Sequence, residues 1–263
     1  MLSARNSNGT WGPRRLSTGR QAIRGTQHEA PVLVFRMADP GIGPSPSRRL
    51  LDVAVAVVVL GLVWPLLLVL FLATRLSTGG SAIYRQRRVG QGGVPFTLLK
   101  LRTMRAGMPG PEVTAPGDHR VTRLGALLRK ASIDELPQLL NVLFGDMTLV
   151  GPRPETVALA MRYPRELQFV FRHRPGITGP SQLLVRDEKV LGQVVDVENF
   201  YLDELVPRRV AMDLGYLRNP TLASTIRWLI DTGLYLVRTV GPRLGNAVPA
   251  LTRAAALGTS PDE

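Results

Sequence analysis

An uncharged, apolar run at residues 53–73, VAVAVVVLGLVWPLLLVLFLA, constrains the fold of this chain more than any other feature. A helix needs about 20 apolar residues to cross the hydrocarbon core of a bilayer, and the run has that length. It begins well inside the chain and no small-residue cleavage site follows it, so we do not interpret it as a cleavable signal peptide. The run therefore predicts a membrane helix.

The charges on both sides of the run bear on its topology. Arg48 and Arg49 precede it, and four more arginines follow it: Arg75, Arg85, Arg87 and Arg88. Arginine-rich flanks favour the cytoplasmic side of a membrane, and a spanning helix places only one end there. Pro65, near the middle, removes a backbone donor and favours a kink. These features favour a re-entrant helix over residues 48–75 with a break at Pro65. An ordinary spanning helix, which also tolerates proline, is the alternative.

The composition of the remaining chain narrows the kinds of site that it can hold. The 263 residues carry a formal net charge of +13 and no cysteine, which excludes a disulfide scaffold, a thiolate zinc site and a cysteine nucleophile. Three widely spaced histidines make a histidine-rich metal site or a Ser-His-Asp triad unexpected, and His173, among arginines, predicts a solvated surface position. A basic surface attracts nucleic acid, anionic lipid or phosphorylated substrates, and charge alone does not choose among them.

The order of patterns after the membrane helix predicts a mostly helical α/β domain. AIYRQRRV and PFTLLKLRTM, around the turn GQGG, predict a hairpin. A helix RLGALLRK capped by Thr122 and a helix SIDELPQLLNVLFG follow. DMTLVGPRPE reads as a strand, a helix near 155–171 is broken around Pro164, RPGITGPSQL reads as a loop, and residues 196–218 read as helical.

The two ends of the chain complete the predicted domain organisation. Residues 1–47 predict a disordered basic arm with a weak strand at PVLVFRM, and 76–243 predict the globular domain. Residues 244–263 predict a loose tail. Within the domain, 221–240 predict an interfacial amphipathic helix, because charged residues at helical spacing interrupt an otherwise apolar segment.

An acidic pair, Asp134 and Glu135, stands where the second helix is predicted to start. Ser132 and Glu135 match a capping box, and Asp134 suits the helix dipole, so a structural role explains the pair locally. The alternative is chemistry, since amides and basic neighbours would keep Asp134 ionised as a nucleophile, and two carboxylates could hold a divalent cation. The residues that favour chemistry are phosphate-type binders near the pair in sequence: Lys100, Arg102, Arg129, Arg153 and Arg174.

The motifs around these residues resemble the bacterial sugar transferases, the monotopic polyprenyl-phosphate phosphoglycosyl transferases, in their small form. The matching pieces are KLRTM (100–104), RKASIDELPQLLNVLFGDMTLVGPRPE (129–155) and RPGITGPSQL (174–183), with a weaker match in MDLGYLRNPTL (212–222). Their order agrees with the family from about residue 48 to 240. The resemblance implies a re-entrant membrane helix and a cytosolic α/β catalytic domain, 76–243, at the bacterial inner membrane.

The same resemblance implies a reaction. Such enzymes transfer a phosphosugar from a UDP-sugar to a polyprenol phosphate, release UMP and require Mg²⁺, in the first membrane step of glycoconjugate, exopolysaccharide or O-antigen assembly. Asp134 matches the nucleophile that forms a covalent phosphosugar-enzyme and also the magnesium ligand. Arg129, Arg153 of the Pro-Arg-Pro motif and Arg174 match the family's arginines. Glu135 stays open between cap, metal ligand and base.

The sequence departs from the family pattern in three places. Trp64-Pro65 replaces the usual Ser-Pro at the helix break, the stretch 187–211 is longer than in the smallest members, and the N-terminal arm is extra. The expected partners are a UDP-sugar, polyprenol phosphate and the membrane, with downstream glycosyltransferases and a second copy of the chain as further candidates. Nucleic acid is not expected. The competing hypothesis is a membrane-anchored basic adaptor that binds anionic lipid or an assembly partner.

Overall fold

The apolar run lies in the middle of one long helix, α1 (Pro46–Thr78), in a computed structural model that describes residues 41–110, 113–114, 117–184 and 196–240. The helix begins at a proline, whose missing N–H costs nothing in the first turn, and ends at Gly79 in the left-handed conformation with φ 69°. By length and composition α1 can cross a membrane, and 6 % of its most apolar window is buried. Most of the predicted basic arm and the predicted tail 244–263 lie outside the described residues.

Pro65 lies inside α1, which is continuous on both sides of it. The break predicted at Pro65 is therefore not an end of the helix, and a bend of the helix axis at this residue stays a prediction. The apolar side chains around it have no cover within the described part of the chain. Leu62 is 79 % exposed and Trp64 is 61 % exposed.

Both ends of α1 are bonded to the domain that follows it. In the second turn the fully buried carboxylate of Asp52 accepts a hydrogen bond from Thr148 Oγ1 at 2.6 Å and another from the Leu149 N–H at 3.0 Å. At the other end the Thr78 carbonyl accepts a hydrogen bond from the Ala106 N–H at 3.1 Å. Contacts at the two ends thus leave the middle of the helix uncovered.

The predicted hairpin is confirmed. Strands β1 (Ile83–Val89) and β2 (Pro95–Leu101) pair antiparallel, and a short 3-10 turn, Gln91–Gly93, joins them. Gly92 has φ 68° in this turn, which glycine adopts without steric cost. The register pairs Tyr84 with Lys100, so the two side chains share one face of the hairpin.

The helix after the hairpin, α2 (Arg123–Lys130), is capped as predicted, because Thr122 Oγ1 accepts a hydrogen bond from the Gly125 N–H at 2.9 Å. A Cβ atom on Gly125 would lie 2.0 Å from the Thr103 carbonyl oxygen. Glycine therefore allows α2 to approach the end of β2 closely. This contact brings the last turn of α2 beside the hairpin.

The predicted capping box at Ser132 is wrong. Ser132 has φ 56° and its side chain makes no capping hydrogen bond. The predicted single helix is instead a 3-10 turn, Ile133–Glu135, followed by α3 (Gln138–Phe144). Pro137 has no N–H to continue an α-helical ladder, and the Leu136 N–H bonds the Ile133 carbonyl three residues back.

A second small sheet follows α3. Strands β3 (Thr148–Val150) and β4 (Gly176–Thr178) pair in parallel, and between them lie α4 (Val157–Met161) and a 3-10 segment, Arg165–Arg172. The strand and the helix break near Pro164 are confirmed. The segment predicted as a loop holds β4 and α5 (Pro180–Leu184), since β4 is ordered by its pairing with a distant strand.

The last described elements are helical, as predicted for residues 196–218. They are α6 (Val197–Phe200), a π-helical turn (Tyr201–Leu205), α7 (Val206–Leu217) and α8 (Leu222–Val240). One side of α8 packs inward through buried Thr225. Its other side is apolar and exposed: Leu222, Ile226, Ile230, Leu234 and Val237. The core between these elements is formed by apolar side chains of the hairpin, α3, β3, α4 and the α6–α7 region. The α/β, mostly helical fold class is confirmed for the described residues.

We predict that Asp52→Ala destabilises the domain, because it leaves the buried Thr148 hydroxyl and Leu149 N–H without their acceptor. The expected cost is about 2 kcal/mol. That cost corresponds to a fall of about 4–8 °C in the midpoint of thermal unfolding, measured on the purified protein in detergent.

The matched control is Asp231→Ala, in an exposed, loose ion pair with Arg227 at 4.0 Å. Its midpoint should fall by no more than about 2 °C, because an ion pair at 4.0 Å lies at the weak end of the roughly 0–1 kcal/mol range for exposed pairs. Equal midpoints for the two variants would contradict a role of Asp52 in fastening α1.

Candidate functional site

Asp134 is the buried centre of the candidate site. It lies in the 3-10 turn between α2 and α3, and its side chain is 5 % exposed. Glu135, next to it, is half-buried and faces a cleft. Glu135 lines the cleft, whereas Asp134 is nearly buried and is not among the residues that line it.

Lys100, at the end of β2, lowers the pKa of Asp134 more than the other nearby cation, Arg129. Its Nζ lies 5.5 Å from the centroid of the Tyr84 ring, a distance at which the ring attracts a cation. Burial lowers the pKa of Lys100 to about 8 against the opposing effect of the Asp134 carboxylate, and Arg129 and Arg88 add to the lowering. Cationic side chains are thus concentrated around one buried carboxylate.

The pKa of Asp134 is raised to about 6. Burial is the main cause and the neighbouring Glu135 carboxylate adds to it, whereas Lys100 and Arg129 act in the opposite direction. The expectation that basic neighbours favour the ionised form has the right sign, but burial outweighs them. Asp134 is still mostly ionised at neutral pH, with a carboxylate more basic than an exposed aspartate.

A cleft of about 330 Å³, partly open to solvent, lies beside the pair. Its lining includes three predicted site residues: Lys100, Glu135 and Arg153. It also includes Arg88 and Gln138, which the motif analysis missed. The hairpin register offers a signal for Arg88, because residues 84, 86 and 88 alternate onto the face that carries Lys100.

Arg88 and the Pro-Arg-Pro loop are held together. Arg88 Nη1 donates to the Pro154 carbonyl at 3.0 Å, and the Val89 N–H donates to the Glu155 carbonyl at 2.9 Å. The buried Glu155 carboxylate also accepts a hydrogen bond from the Tyr201 hydroxyl. Hydrogen bonds from the hairpin and from Tyr201 therefore hold the loop that carries the exposed Arg153 side chain.

Arg129 and Arg102 lie at the margin of the site. Arg129 Nε donates to Thr103 Oγ1 at 2.7 Å, which ties the last turn of α2 to the end of β2. Arg102 Nε donates to the Ser81 carbonyl at 2.7 Å, and its guanidinium lies 5.4 Å from the Tyr84 ring centroid. Arg129 contributes to the electrostatics of Asp134 and Lys100, whereas Arg102 is directed towards the start of the hairpin.

Arg174 is not brought together with the pair. Its Nε donates to Gln91 Oε1 at 2.9 Å, and the residue lines a different cavity at the start of α1. His173 lines that cavity too and is half-buried, so the predicted solvated position is wrong. Burial, together with Arg172 and Arg48, lowers the pKa of His173.

The side chains available as ligands limit how a metal ion could bind. Among the described residues no group of three or more His, Cys, Asp or Glu side chains converges. Mg²⁺ is commonly held by one or two carboxylates together with substrate phosphates and water. Asp134 and Glu135 fit this mode only, in which a phosphorylated substrate supplies further oxygens.

Comparison with known proteins identifies the family of this chain. Residues 44–239 match the family described as bacterial sugar transferase. A UDP-glucose:undecaprenyl-phosphate glucose-1-phosphate transferase from Caulobacter vibrioides is 43 % identical over 199 residues, which cover 73 % of this chain and 70 % of that protein.

Two further relatives differ in length. A UDP-N-acetylgalactosamine-undecaprenyl-phosphate N-acetylgalactosaminephosphotransferase from Aeromonas hydrophila is 36 % identical over 188 residues, 68 % of this chain but 42 % of that protein. The exopolysaccharide production protein ExoY from Rhizobium meliloti is 36 % identical over 199 residues, 68 % of this chain and 80 % of that protein. With the family match over most of its length and these relatives, the chain belongs to the bacterial sugar transferase family and is a phosphoglycosyl transferase.

Proposed function

We propose that this protein transfers a sugar phosphate from a UDP-sugar to a polyprenol phosphate through a covalent intermediate on Asp134. The observation that carries the proposal is a buried carboxylate beside a cleft lined by Lys100, Arg88 and Arg153. The relatives named as undecaprenyl-phosphate sugar phosphotransferases support the two substrate classes. The product is a polyprenyl-diphosphate-sugar, the starting unit for assembly of a polysaccharide or glycoconjugate.

The proposed reaction has two displacement steps at one phosphorus atom. In the first, the Asp134 carboxylate attacks the β-phosphorus of the UDP-sugar, and the bond between that phosphorus and the bridging oxygen breaks, so UMP leaves. In the second, an oxygen of the lipid phosphate attacks the same phosphorus and releases the Asp134 carboxylate. An acyl phosphate is itself reactive, which makes aspartate a suitable nucleophile.

The cations of the cleft suit the charge that develops in both steps. Negative charge spreads over the phosphoryl oxygens in such displacements, and fixed cations stabilise it. Lys100 and Arg88 are held by the hairpin, and Arg153 is held by the fastened loop. The partly exposed Glu135 faces the cleft and is placed to orient the incoming lipid phosphate or take its proton.

Mg²⁺ would be held by Asp134 and Glu135 with phosphate oxygens of the substrate, and it would neutralise diphosphate charge there. The three cationic side chains of the cleft supply part of the same neutralisation. Phosphate binding in the cleft therefore does not rest on the metal alone.

The membrane arrangement that we propose is a re-entrant α1 that enters and leaves one leaflet. Bonds from Asp52 and Thr78 attach the two ends to the same domain, while the apolar middle is exposed. A helix crossing the bilayer at right angles would place its far end about 30 Å from the face that it left. Contacts at both ends therefore support a re-entrant path.

The outward face of α8 supports a second membrane contact. Five apolar side chains at helical spacing are exposed there, as expected of a helix lying in the interface. We propose that the domain sits on the cytoplasmic face of the inner membrane, where soluble nucleotide sugars occur and arginine-rich flanks are favoured. The lipid phosphate then lies near the level of the cleft.

Replacement of the proposed nucleophile is the first test. Asp134→Asn should lower UMP release from a UDP-sugar by about 10³-fold or more, because an amide cannot form the acyl phosphate. The assay is purified protein with Mg²⁺, polyprenol phosphate and a panel of UDP-sugars.

Asp231→Asn, an exposed acidic residue of α8, is the matched control and should keep its activity. An Asp134→Asn protein that has the same unfolding midpoint as wild type and near-normal turnover would refute the nucleophile assignment. The adaptor hypothesis would be favoured by a different result, in which the wild type releases UMP from none of the UDP-sugars.

The two shifted groups predict a bell-shaped pH profile. UMP release in a single turnover should fall above about 8, where Lys100 loses its charge. Its rising limb should lie at or below about 6, where Asp134 becomes ionised, because Mg²⁺ held by Asp134 would favour the ionised carboxylate. The measurement omits polyprenol phosphate, since the lipid phosphate titrates in the same range. Lys100→Arg should remove the falling limb because arginine stays protonated. A falling limb that is unchanged in this variant would contradict the role of Lys100.

The topology can be tested because the sequence has no native cysteine. Ser45→Cys and Ser81→Cys place single thiols at the two exposed ends of α1. If α1 is re-entrant, an impermeant maleimide should label neither in intact spheroplasts and both after permeabilisation. Labelling of one thiol in intact spheroplasts would show a spanning helix.

A further inference from the structure

A second cavity lies where α1 begins, separate from the cleft beside Asp134. It opens to solvent, and the two cavities share no lining residue. The segment before α1 closes one side, since the Ile42 N–H donates to the Arg172 carbonyl at 2.6 Å and the Arg174 N–H donates to the Ile42 carbonyl at 3.3 Å. Two guanidinium groups, those of Arg48 and Arg174, line this space.

Arg48 is built into the wall of the cavity. The residue is 5 % exposed; its Nε donates to Thr225 Oγ1 at 3.0 Å, and its Nη2 donates to the Tyr216 hydroxyl at 2.7 Å and the Val150 carbonyl at 3.2 Å. In the part of the chain that the structure describes, Nη1 has no hydrogen-bond partner. Nη1 is not one of the fully buried unpaired atoms, so its donors are open to a molecule in the cavity.

Arg174 adds a second set of unused donors. Its Nε bonds Gln91, and neither of its Nη atoms has a hydrogen-bond partner among the described residues. Burial and the nearby Arg49 lower the pKa of Arg174, against the effect of Asp52 and Asp146. These carboxylates are already engaged, Asp52 by Thr148 and Asp146 by the Asn141 amide at 3.2 Å.

We propose that the cavity at the start of α1 binds a phosphate group between Arg48 and Arg174. Guanidinium groups match phosphate oxygens with paired donors, and both arginines line the same cavity. The cavity lies at the first turn of the membrane helix, the level at which basic pockets meet lipid headgroups. A phospholipid headgroup and free inorganic phosphate carry the same chemistry. The proposal does not depend on the catalytic function.

The test compares phosphate binding by four forms of the full chain: wild type, Arg174→Gln, Arg174→Lys and Arg165→Gln. Arg165 is exposed and is not among the residues that line the cavity, so its variant is the matched loss of one charge. In the first arm, inorganic phosphate replaces chloride at constant ionic strength and the unfolding midpoint is recorded. In the second arm, native mass spectrometry counts phosphatidylglycerol retained from nanodiscs, with phosphatidylcholine nanodiscs as reference.

Arg174→Gln should bind phosphate or phosphatidylglycerol roughly tenfold more weakly, since one set of charge-assisted hydrogen bonds is lost. Arg174→Lys should retain part of the binding and Arg165→Gln all of it. Loss in the lipid arm identifies a headgroup, and loss in the phosphate arm alone identifies a soluble anion; both support the site.

Equal binding by wild type and Arg174→Gln in both arms overturns the proposal. An Arg153→Gln protein distinguishes the catalytic cleft from the new site. If phosphate protection disappears in Arg153→Gln and persists in Arg174→Gln, the anion binds beside Asp134 and the proposal is wrong. None of these readouts uses turnover, so an inactive preparation does not affect the outcome.

Discussion

The buried carboxylate of Asp52 is the interaction on which the arrangement of this protein depends. It joins α1, whose apolar surface is unfavourable in water, to β3, the strand that precedes the Pro-Arg-Pro loop. Arg48, one turn earlier, adds bonds to β3, α7 and α8. The membrane element is therefore fixed to the frame of the site itself, and the site's position relative to the helix is set by short hydrogen bonds.

The chemistry of the cleft rests on a balance between burial and charge. Burial makes the Asp134 carboxylate more basic, and the cations around it limit that effect so that ionisation at neutral pH persists. Burial also lowers the pKa of Lys100 to about 8, so its ammonium group loses the proton not far above neutral pH. A carboxylate of raised basicity and a proton-sensitive cation thus result from one cause, the burial of both groups.

Sequence patterns predicted those parts of the fold that depend on local chemistry. The apolar run, the hairpin turn, the Thr122 cap and the helix break near Pro164 each follow from residues close together in the chain. The Ser132 cap failed because Pro137 interrupts the backbone ladder two residues beyond the acidic pair, and the capping pattern ignores that proline. Strand β4 was missed because its partner lies in a separate segment.

The sequence predicted which types of residue form the candidate site, but it predicted less well which of them lie together. Lys100, Glu135 and Arg153 do line one cleft, and Arg88 is recovered once the hairpin register is applied. Arg174 is directed away because its backbone carries the parallel pairing with the segment before α1, which turns its side chain towards Gln91. Such pairings join residues more than a hundred positions apart, such as Ile42 and His173. Local patterns in a single sequence do not predict them.

The attachment of α1 at both ends has a mechanical consequence. A domain held by one end of a helix swings on its tether and samples a range of heights above a bilayer. Two attachment points remove that swing, so in the proposed re-entrant arrangement the distance between the cleft and the lipid surface would be set by the fold. In the proposed membrane arrangement, an acceptor lipid would then be selected by where its phosphate lies relative to the cleft.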